Sequence, residues 1–288
     1  MSFPAVIETV VRSAKQLSFL KNVKCEFLVT TFYVLIGCGA TITGNTRCKT
    51  NSDELKAAIT FGMLAVTLMF WSLRTSGLAQ MNPAISIAML CTRKTDVITA
   101  LINILAQCVG AIAGAGIVYG VTPARFHELL GVTYVHPDIE VGQAFGIEFL
   151  ITFLMTYSYF ASLDYPGFTS SIPFELVPVG FSITIGHTFG WKYTGASMNP
   201  ARSLGPAVVC NSWVNHWVYW VGPILGAILG GITFEYSHMT YSDIRPLRRS
   251  SSSHLDHVQL EEPADSKDSI ELPTELTFSS VAPDDPEV

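Results

Sequence analysis

The chain alternates long apolar stretches with short polar ones. Each long stretch carries few charged residues and is close to the ~20 residues that a helix needs to cross the hydrocarbon layer of a membrane. Six such stretches occur, at residues 25–43, 57–73, 97–120, 141–163, 172–191 and 215–236. Two further apolar segments, Asn82–Cys91 and Asn199–Cys210, are too short to cross and are candidates for re-entrant half-helices. The pattern predicts an all-α membrane protein with six transmembrane helices and two half-helices.

The two short segments open with the same tripeptide, asparagine-proline-alanine. Two other landmarks recur in the same order around each copy, an apolar run that contains a glutamate and a run that begins and ends with glycine. The matched pairs are Asn82-Pro83-Ala84 with Asn199-Pro200-Ala201, Cys25–Thr30 with Ile147–Thr152, and Gly110–Gly114 with Gly226–Gly230. Three ordered landmarks indicate an internal duplication far better than one tripeptide does.

The duplication predicts how the two halves lie in the membrane. Each half holds three spans, so the second half enters from the opposite face and the halves form an inverted repeat. We expect a membrane domain over residues 25–237, with one repeat at about 25–120 and the other at about 141–237. The two half-helices then meet near the midplane, where their free N-terminal amides face each other.

Composition supports the membrane assignment. Hydrophobic residues make up 49% of the 288 residues and charged residues 14%, with a mean hydropathy of +0.38, which is too apolar for an ordinary soluble domain. The net charge of −6 is concentrated at the C-terminus, because residues 241–288 hold 4 basic and 11 acidic residues and the remainder is near +1. We therefore expect no nucleic-acid partner and a disordered acidic tail over residues 238–288.

The distribution of positive charge predicts that both termini are cytoplasmic. Four cations, at positions 12, 15, 21 and 24, precede the first span, and an arginine cluster follows the last one. We expect residues 1–24 to form a cytoplasmic N-terminus. Cations in the first outer loop argue the other way, but the even number of spans and the charges at both ends outweigh them.

The residues around the tripeptides point to a pore that passes water and not charge. Two opposed helix N-termini create a positive potential that repels cations and protons. Asn82 and Asn199 each offer a side-chain amide to a water molecule between them. Arg202 directly follows the second tripeptide, and we favour a pore-lining role for it over a structural ion pair, because a buried arginine needs a partner or an aqueous cavity.

The predicted spans contain other titratable residues, among them Glu26, Glu148 and His187. Glu26 and Glu148 occupy matched positions and are interpreted as acceptors for backbone amides of a broken loop, with a proton relay as the alternative. His187 lies in the fifth span, and taken alone it is as easily structural as functional. The six cysteines are scattered without paired spacing, so we expect neither a disulfide framework nor a metal site.

These residues together identify a resemblance to a known family. Over roughly residues 20–237 the chain resembles the aquaporins, through both tripeptides, the paired glutamates and the run Tyr193–Ser203. The water-selective branch of that family lines its outer constriction with an aromatic residue, a histidine, a small residue and an arginine. The resemblance implies a homotetramer with one pore in each subunit, and a selectivity filter made of Phe61, His187, Ala196 and Arg202.

The chain departs from the family pattern before the first tripeptide. The family commonly has a histidine two residues before it, where this chain has Gln80, and the stretch from Phe61 to Asn82 is one residue longer than expected. The extra residue affects the assignment of Phe61 and leaves an altered inner vestibule or gating loop open. Ala196 stands where mercury-blocked relatives have cysteine, so we predict that mercury does not block through this position.

The sequence favours a passive water channel of the plasma membrane, driven by osmotic gradients and closed to protons and ions. One alternative is a pore that also passes glycerol, urea or small neutral solutes, against which His187 argues. Another is a junctional membrane protein without conduction. We expect no enzyme and no cofactor, because no nucleophile, base and orienting group converge. In the tail, Ser251 follows two arginines and is a candidate phosphorylation site, with topology-setting cations as the simpler interpretation.

Overall fold

The computed structural model describes residues 17–42, 51–163 and 174–237 of the chain. The chain divides into two units, Met1–Thr240 and Tyr241–Val288. All described residues belong to the first unit, and within them the regular structure is helical throughout. The predicted acidic tail, including Ser251, lies outside the described residues.

The described part of the chain holds six long helices and two short ones. The long helices are α1 (Leu17–Ala40), α2 (Asn51–Thr75), α4 (Val97–Val121), α5 (Val141–Leu163), α6 (Val177–Thr194) and α8 (Val218–Ser237), and the short ones are α3 (Pro83–Cys91) and α7 (Pro200–Cys210). Single 3-10 turns cover Ala124–Leu129 and Phe174–Leu176. The predicted order of six long helices and two half-helices is confirmed.

Five of the long helices, all except α6, are long and apolar enough to cross a membrane. Helix α6 has 18 residues and is less apolar, because His187 and Lys192 lie on it. Helix α1 begins earlier than the apolar stretch that predicted it, so Lys21 and Lys24 are helical residues rather than part of a preceding segment. Hydropathy identifies only the segment of a helix that lies in the hydrocarbon core of the membrane, and the helix itself extends beyond that segment.

Within each half, glycines allow the third long helix to pack closely against the first. A side chain at any of four glycines would meet the backbone of the neighbouring helix: Gly110 at Phe27, Gly114 at Thr31, Gly226 at Phe149 and Gly230 at Phe153. Helix α4 therefore packs on α1 as α8 packs on α5, which is how small residues work in membrane helix pairs. Gly116 does not share this role, since no atom outside its own helix lies within 4 Å of where its Cβ would be.

The half-helices α3 and α7 begin in the same way. Asn82 and Asn199 are their N-caps, with side-chain oxygens that accept hydrogen bonds from the amides of Ala84 at 2.9 Å and Ala201 at 3.0 Å. Proline follows each asparagine at the first helical position, where a missing N–H costs no intrahelical bond. The tripeptide therefore specifies a helix start, and its duplication gives two starts of the same geometry.

Candidate functional site

The two tripeptides meet at the centre of the fold, where each asparagine bonds to the opposite loop. Asn82 Nδ2 donates to the carbonyl oxygen of Met198 at 2.8 Å, and Asn199 Nδ2 donates to that of Met81 at 2.8 Å. The sequence alone suggested that both amides were free for water. The cross-bonds use one N–H of each amide, which leaves one N–H of each for a water molecule.

A buried carboxylate holds each loop in place. Glu26 accepts hydrogen bonds from the backbone amides of Gln80 at 2.8 Å and Met81 at 2.9 Å, and it is 1% exposed. Glu148 accepts from the equivalent amides, Ser197 at 2.8 Å and Met198 at 2.9 Å, and is 0% exposed. The geometry favours loop support over a proton relay, because both carboxylates bind fixed backbone donors in the same way in each half.

Polar side chains behind the loops complete each carboxylate's hydrogen bonds. Gln107 Nε2 donates to Glu26 at 3.0 Å, and Thr194 Oγ1 donates to Glu148 at 2.7 Å. Two serines, Ser86 and Ser203, occupy matching positions in this second layer and bond to the loop residues Gln80 and Ser197. None of these residues was among the predicted site residues.

A signal for the two serines was present in the sequence. Each lies four positions after the asparagine of its tripeptide, so the repeated unit is Asn-Pro-Ala-x-Ser rather than Asn-Pro-Ala. The variable position holds Ile85 in the first copy and Arg202 in the second. The two halves therefore share the asparagine, proline, alanine and serine of this unit and differ at the position just before the serine.

Three of the four predicted filter residues contact one another. The rings of Phe61 and His187 stack with centroids 4.5 Å apart and an interplanar angle of 15°. The guanidinium carbon of Arg202 lies 5.0 Å from the centroid of the Phe61 ring. The fourth residue, Ala196, is 0% exposed in the loop before α7 and packs beside Gly190, one turn after His187 on α6.

The extra residue before the first tripeptide does not displace Phe61. Helix α2 is continuous from Asn51 to Thr75, so the position of Phe61 is set by the helix and by its contacts with His187 and Arg202. The loop that follows contains two residues with positive φ, Gly77 at 107° and Met81 at 54°. The Met81 conformation belongs to both halves, because the equivalent Met198 has a φ of 51°.

Two buried nitrogens in this cluster have no hydrogen-bond partner within the part of the chain that the structure describes. His187 Nδ1 bonds to the carbonyl oxygen of Ile183 at 2.9 Å, while its Nε2 has no protein partner. Arg202 donates through Nη1 to the carbonyl oxygen of Gly131, while its Nε has none. Within the described ranges no salt bridge joins Arg202 to a carboxylate. Buried nitrogens of this kind require water, so the cluster suits water passing beside it.

A narrow cavity extends from the asparagine pair. Its polar lining residues are Tyr33, Gln80, Asn82, Tyr159 and Asn199, and aliphatic side chains and methionines form the remainder. The space open to the centres of water molecules is about 20 Å³, compared with the ~10–15 Å³ that one water requires. The cavity therefore accommodates water one or two molecules at a time.

Comparison with known proteins agrees with this architecture. The major intrinsic protein family matches residues 13–234. The chain is 45% identical to aquaporin-4 of Mus musculus over 222 residues, and this aligned region covers 76% of this chain and 68% of that protein. It is 38% identical to the lens fiber major intrinsic protein of Gallus gallus over 255 residues, and that aligned region covers 88% of this chain and 92% of that protein.

A solved structure gives the same result at the level of the fold. The aquaglyceroporin from Plasmodium falciparum superposes with a TM-score of 0.69 at 25% identity, covering 78% of this chain and 99% of that one. The family resemblance carried by the tripeptides and glutamates is thereby confirmed, and with it the similarity to aquaporin-4. The chain belongs to the major intrinsic protein family, the family of the aquaporins.

Proposed function

We propose that the protein is a passive water channel, driven by osmotic gradients, that excludes protons and ions. The observation that carries the proposal is the pair of unpartnered buried nitrogens, His187 Nε2 and Arg202 Nε, on two residues that both contact the Phe61 ring. Each can hydrogen-bond to a passing water and then release it. With Ala196, these residues form the proposed selectivity filter, and the asparagine pair forms the centre of the pore.

Exclusion of cations follows from fixed positive charge. Helices α3 and α7 direct their N-termini toward one another, and each terminus carries roughly half an elementary charge. The unpaired guanidinium of Arg202 adds a full charge nearby. At about 5 Å and an effective dielectric constant of about 20, one such charge raises the energy of a monovalent cation by about 3 kcal/mol.

Exclusion of protons follows from the orientation of water at the asparagines. The remaining N–H groups of Asn82 and Asn199 both donate to the same water oxygen, which occupies both of its lone pairs. That water can donate to its neighbours but cannot accept a proton from them. The hydrogen-bonded chain that proton hopping requires is therefore interrupted at this point.

The main alternative is a pore that also passes glycerol, as the name of the Plasmodium falciparum relative says of that protein. The stacked rings of Phe61 and His187 argue against it here, because a polyol needs room and an apolar wall where His187 presents a polar nitrogen. We regard the glycerol-passing pore as the weaker candidate.

The assembly and location of the protein are further parts of the proposal. We propose a homotetramer in the plasma membrane with both termini cytoplasmic and a channel domain over residues 25–237. Family membership supports the assembly, and the cation distribution supports the orientation. Chemical cross-linking in native membranes tests the tetramer, and phosphopeptide mapping tests modification of Ser251.

Stopped-flow light scattering of proteoliposomes tests the function. Vesicles that hold the purified protein are exposed to a sucrose gradient and then to a glycerol gradient. We expect fast shrinkage in both, with glycerol reswelling no faster than in empty vesicles. Fast reswelling would favour the glycerol-passing pore, and shrinkage at the rate of empty vesicles would refute conduction.

A further inference from the structure

The loop before the first tripeptide contains an amide side chain that the proposed water pathway does not yet use. Gln80 is 8% exposed and lines the cavity next to Asn82 and Asn199. Its backbone N–H is bound by Glu26, which fixes the residue in place. The direction of its side-chain amide can be determined from the hydrogen bonds around it.

The buried carboxylate sets the direction of a chain of hydrogen bonds. Glu26 is an acceptor in this network, so the group of Gln107 that lies 3.0 Å from it must be the donor Nε2. The same Nε2 lies 3.0 Å from Ser86 Oγ and donates to it as well. Ser86 thus accepts from Gln107 and has its own hydroxyl hydrogen left to donate, and the carbonyl oxygen of Asn82 at 3.2 Å is a more distant acceptor for it than Gln80.

The last bond in this chain orients Gln80. Ser86 Oγ lies 2.5 Å from the side-chain oxygen of Gln80. A separation of this size falls within the range of O–H···O hydrogen bonds and is shorter than N–H···O bonds. The oxygen of Gln80 therefore faces Ser86, and its Nε2 points away from the network. Among the described residues no atom accepts a hydrogen bond from that Nε2, so it remains available as a donor beside the cavity.

The equivalent position in the second half offers no such donor. The equivalent residue is Ser197, because its backbone N–H donates to Glu148 in the same way as the backbone N–H of Gln80 donates to Glu26. Its hydroxyl donates to the carbonyl oxygen of Asn199 at 2.9 Å and accepts from Ser203 at 2.7 Å. The two halves thus differ at a residue that the duplication otherwise makes equivalent.

We propose that Gln80 Nε2 is an additional water-binding donor in the pore, on the Asn82 side of the asparagine pair. This inference rests on the proposed water conduction and extends it. The neighbouring wall includes Ile85, Val179 and Ile183, which offer water no side-chain hydrogen bond. A donor at this point lowers the free energy of a water that has left, or is about to reach, the asparagines. The ligand class is water or another small neutral hydrogen-bond acceptor.

The test compares Gln80→Met with wild type and with Leu78→Ala in the same proteoliposome assay. Methionine has a similar length and no N–H donor, and Leu78→Ala alters the same loop at a partly buried residue that does not line this cavity. Permeability is divided by the amount of reconstituted protein and measured at several temperatures. The activation energy reports on the pathway of each channel, whereas loss of folded protein changes only the number of channels.

We expect Gln80→Met to lower water permeability per channel about fivefold, the factor that one net hydrogen bond represents, and to raise the activation energy. Leu78→Ala is expected to match wild type in both. A Gln80→Met channel with wild-type permeability and activation energy would overturn the inference. So would an equal loss in both variants, which would indicate a loop effect. If wild type itself conducts no water, the proposed function fails first, and the two failures are distinguishable.

Discussion

Replacing Glu148 with glutamine tests whether the buried carboxylate positions the second loop. One carboxylate oxygen accepts from Thr194 Oγ1 at 2.7 Å and from the Ser197 amide at 2.8 Å, and the other accepts from the Met198 amide at 2.9 Å. Glutamine retains one acceptor oxygen. Its NH2 group would then face the N–H of Met198, so that two donors would oppose each other in a site that is 0% exposed.

The cost follows from the groups left unpaired. A buried N–H without an acceptor costs about 1–3 kcal/mol, and hydrogen bonds to a charged group are worth about 1.5–3 kcal/mol each. Glutamine also avoids the desolvation penalty of a buried charge, which offsets part of this loss of stability. We therefore expect a net cost of about 3 kcal/mol for Glu148→Gln. Alanine leaves all three donors unpaired, so Glu148→Ala should cost more. The affected loop precedes Asn199 and Arg202, so water conduction should fall with stability.

Two measurements check this expectation. Thermal unfolding of the purified protein in detergent should place the melting temperatures in the order wild type, Glu148→Gln, Glu148→Ala, and stopped-flow permeability should follow the same order. Glu140→Gln is the matched control, because this carboxylate is exposed just before α5. Wild-type melting and conduction in Glu148→Gln would refute the reasoning, since the loop would then not depend on the carboxylate.

Three other changes test separate parts of the structure. Arg202→Val removes the positive charge near the pore and with it a Coulomb barrier of about 3 kcal/mol. Cation or proton flux across proteoliposomes should therefore rise by at least tenfold. Mercury should not block wild type through Ala196, and Ala196→Cys should create a block that a thiol reverses. Burial alone would raise the pKa of Asp96, but hydrogen bonds from Thr99 and Ile98 to its side chain hold that pKa below its ordinary value. Asp96→Ala should therefore cost about 1 kcal/mol of helix capping near pH 7, and thermal melts should show that difference shrinking as the pH falls through the lowered pKa of Asp96.

The features that the sequence predicted are those in which nearby residues determine the outcome. The number and order of the helices follow from the lengths of apolar runs, and the repeat follows from three matched landmarks. The glycines at positions 110, 114, 226 and 230, which mark the duplication in the sequence, also lie where neighbouring helices pack closely. Even the start of each half-helix is specified locally, because Asn82 caps the helix whose first residue is Pro83.

Contacts between residues far apart in the chain could not be predicted from the sequence. Phe61 stacks on His187, and the Asn82 amide, which we expected to donate to water alone, donates one N–H to the Met198 carbonyl. The direction of the Gln80 amide depends on hydrogen bonds from helices that precede and follow it. Such contacts form only when packed helices bring their side chains together, and no local pattern records which of several possible partners each polar group receives. The sequence by itself therefore determined the membrane fold and its duplication, while packing decided which N–H groups remain free to bind water.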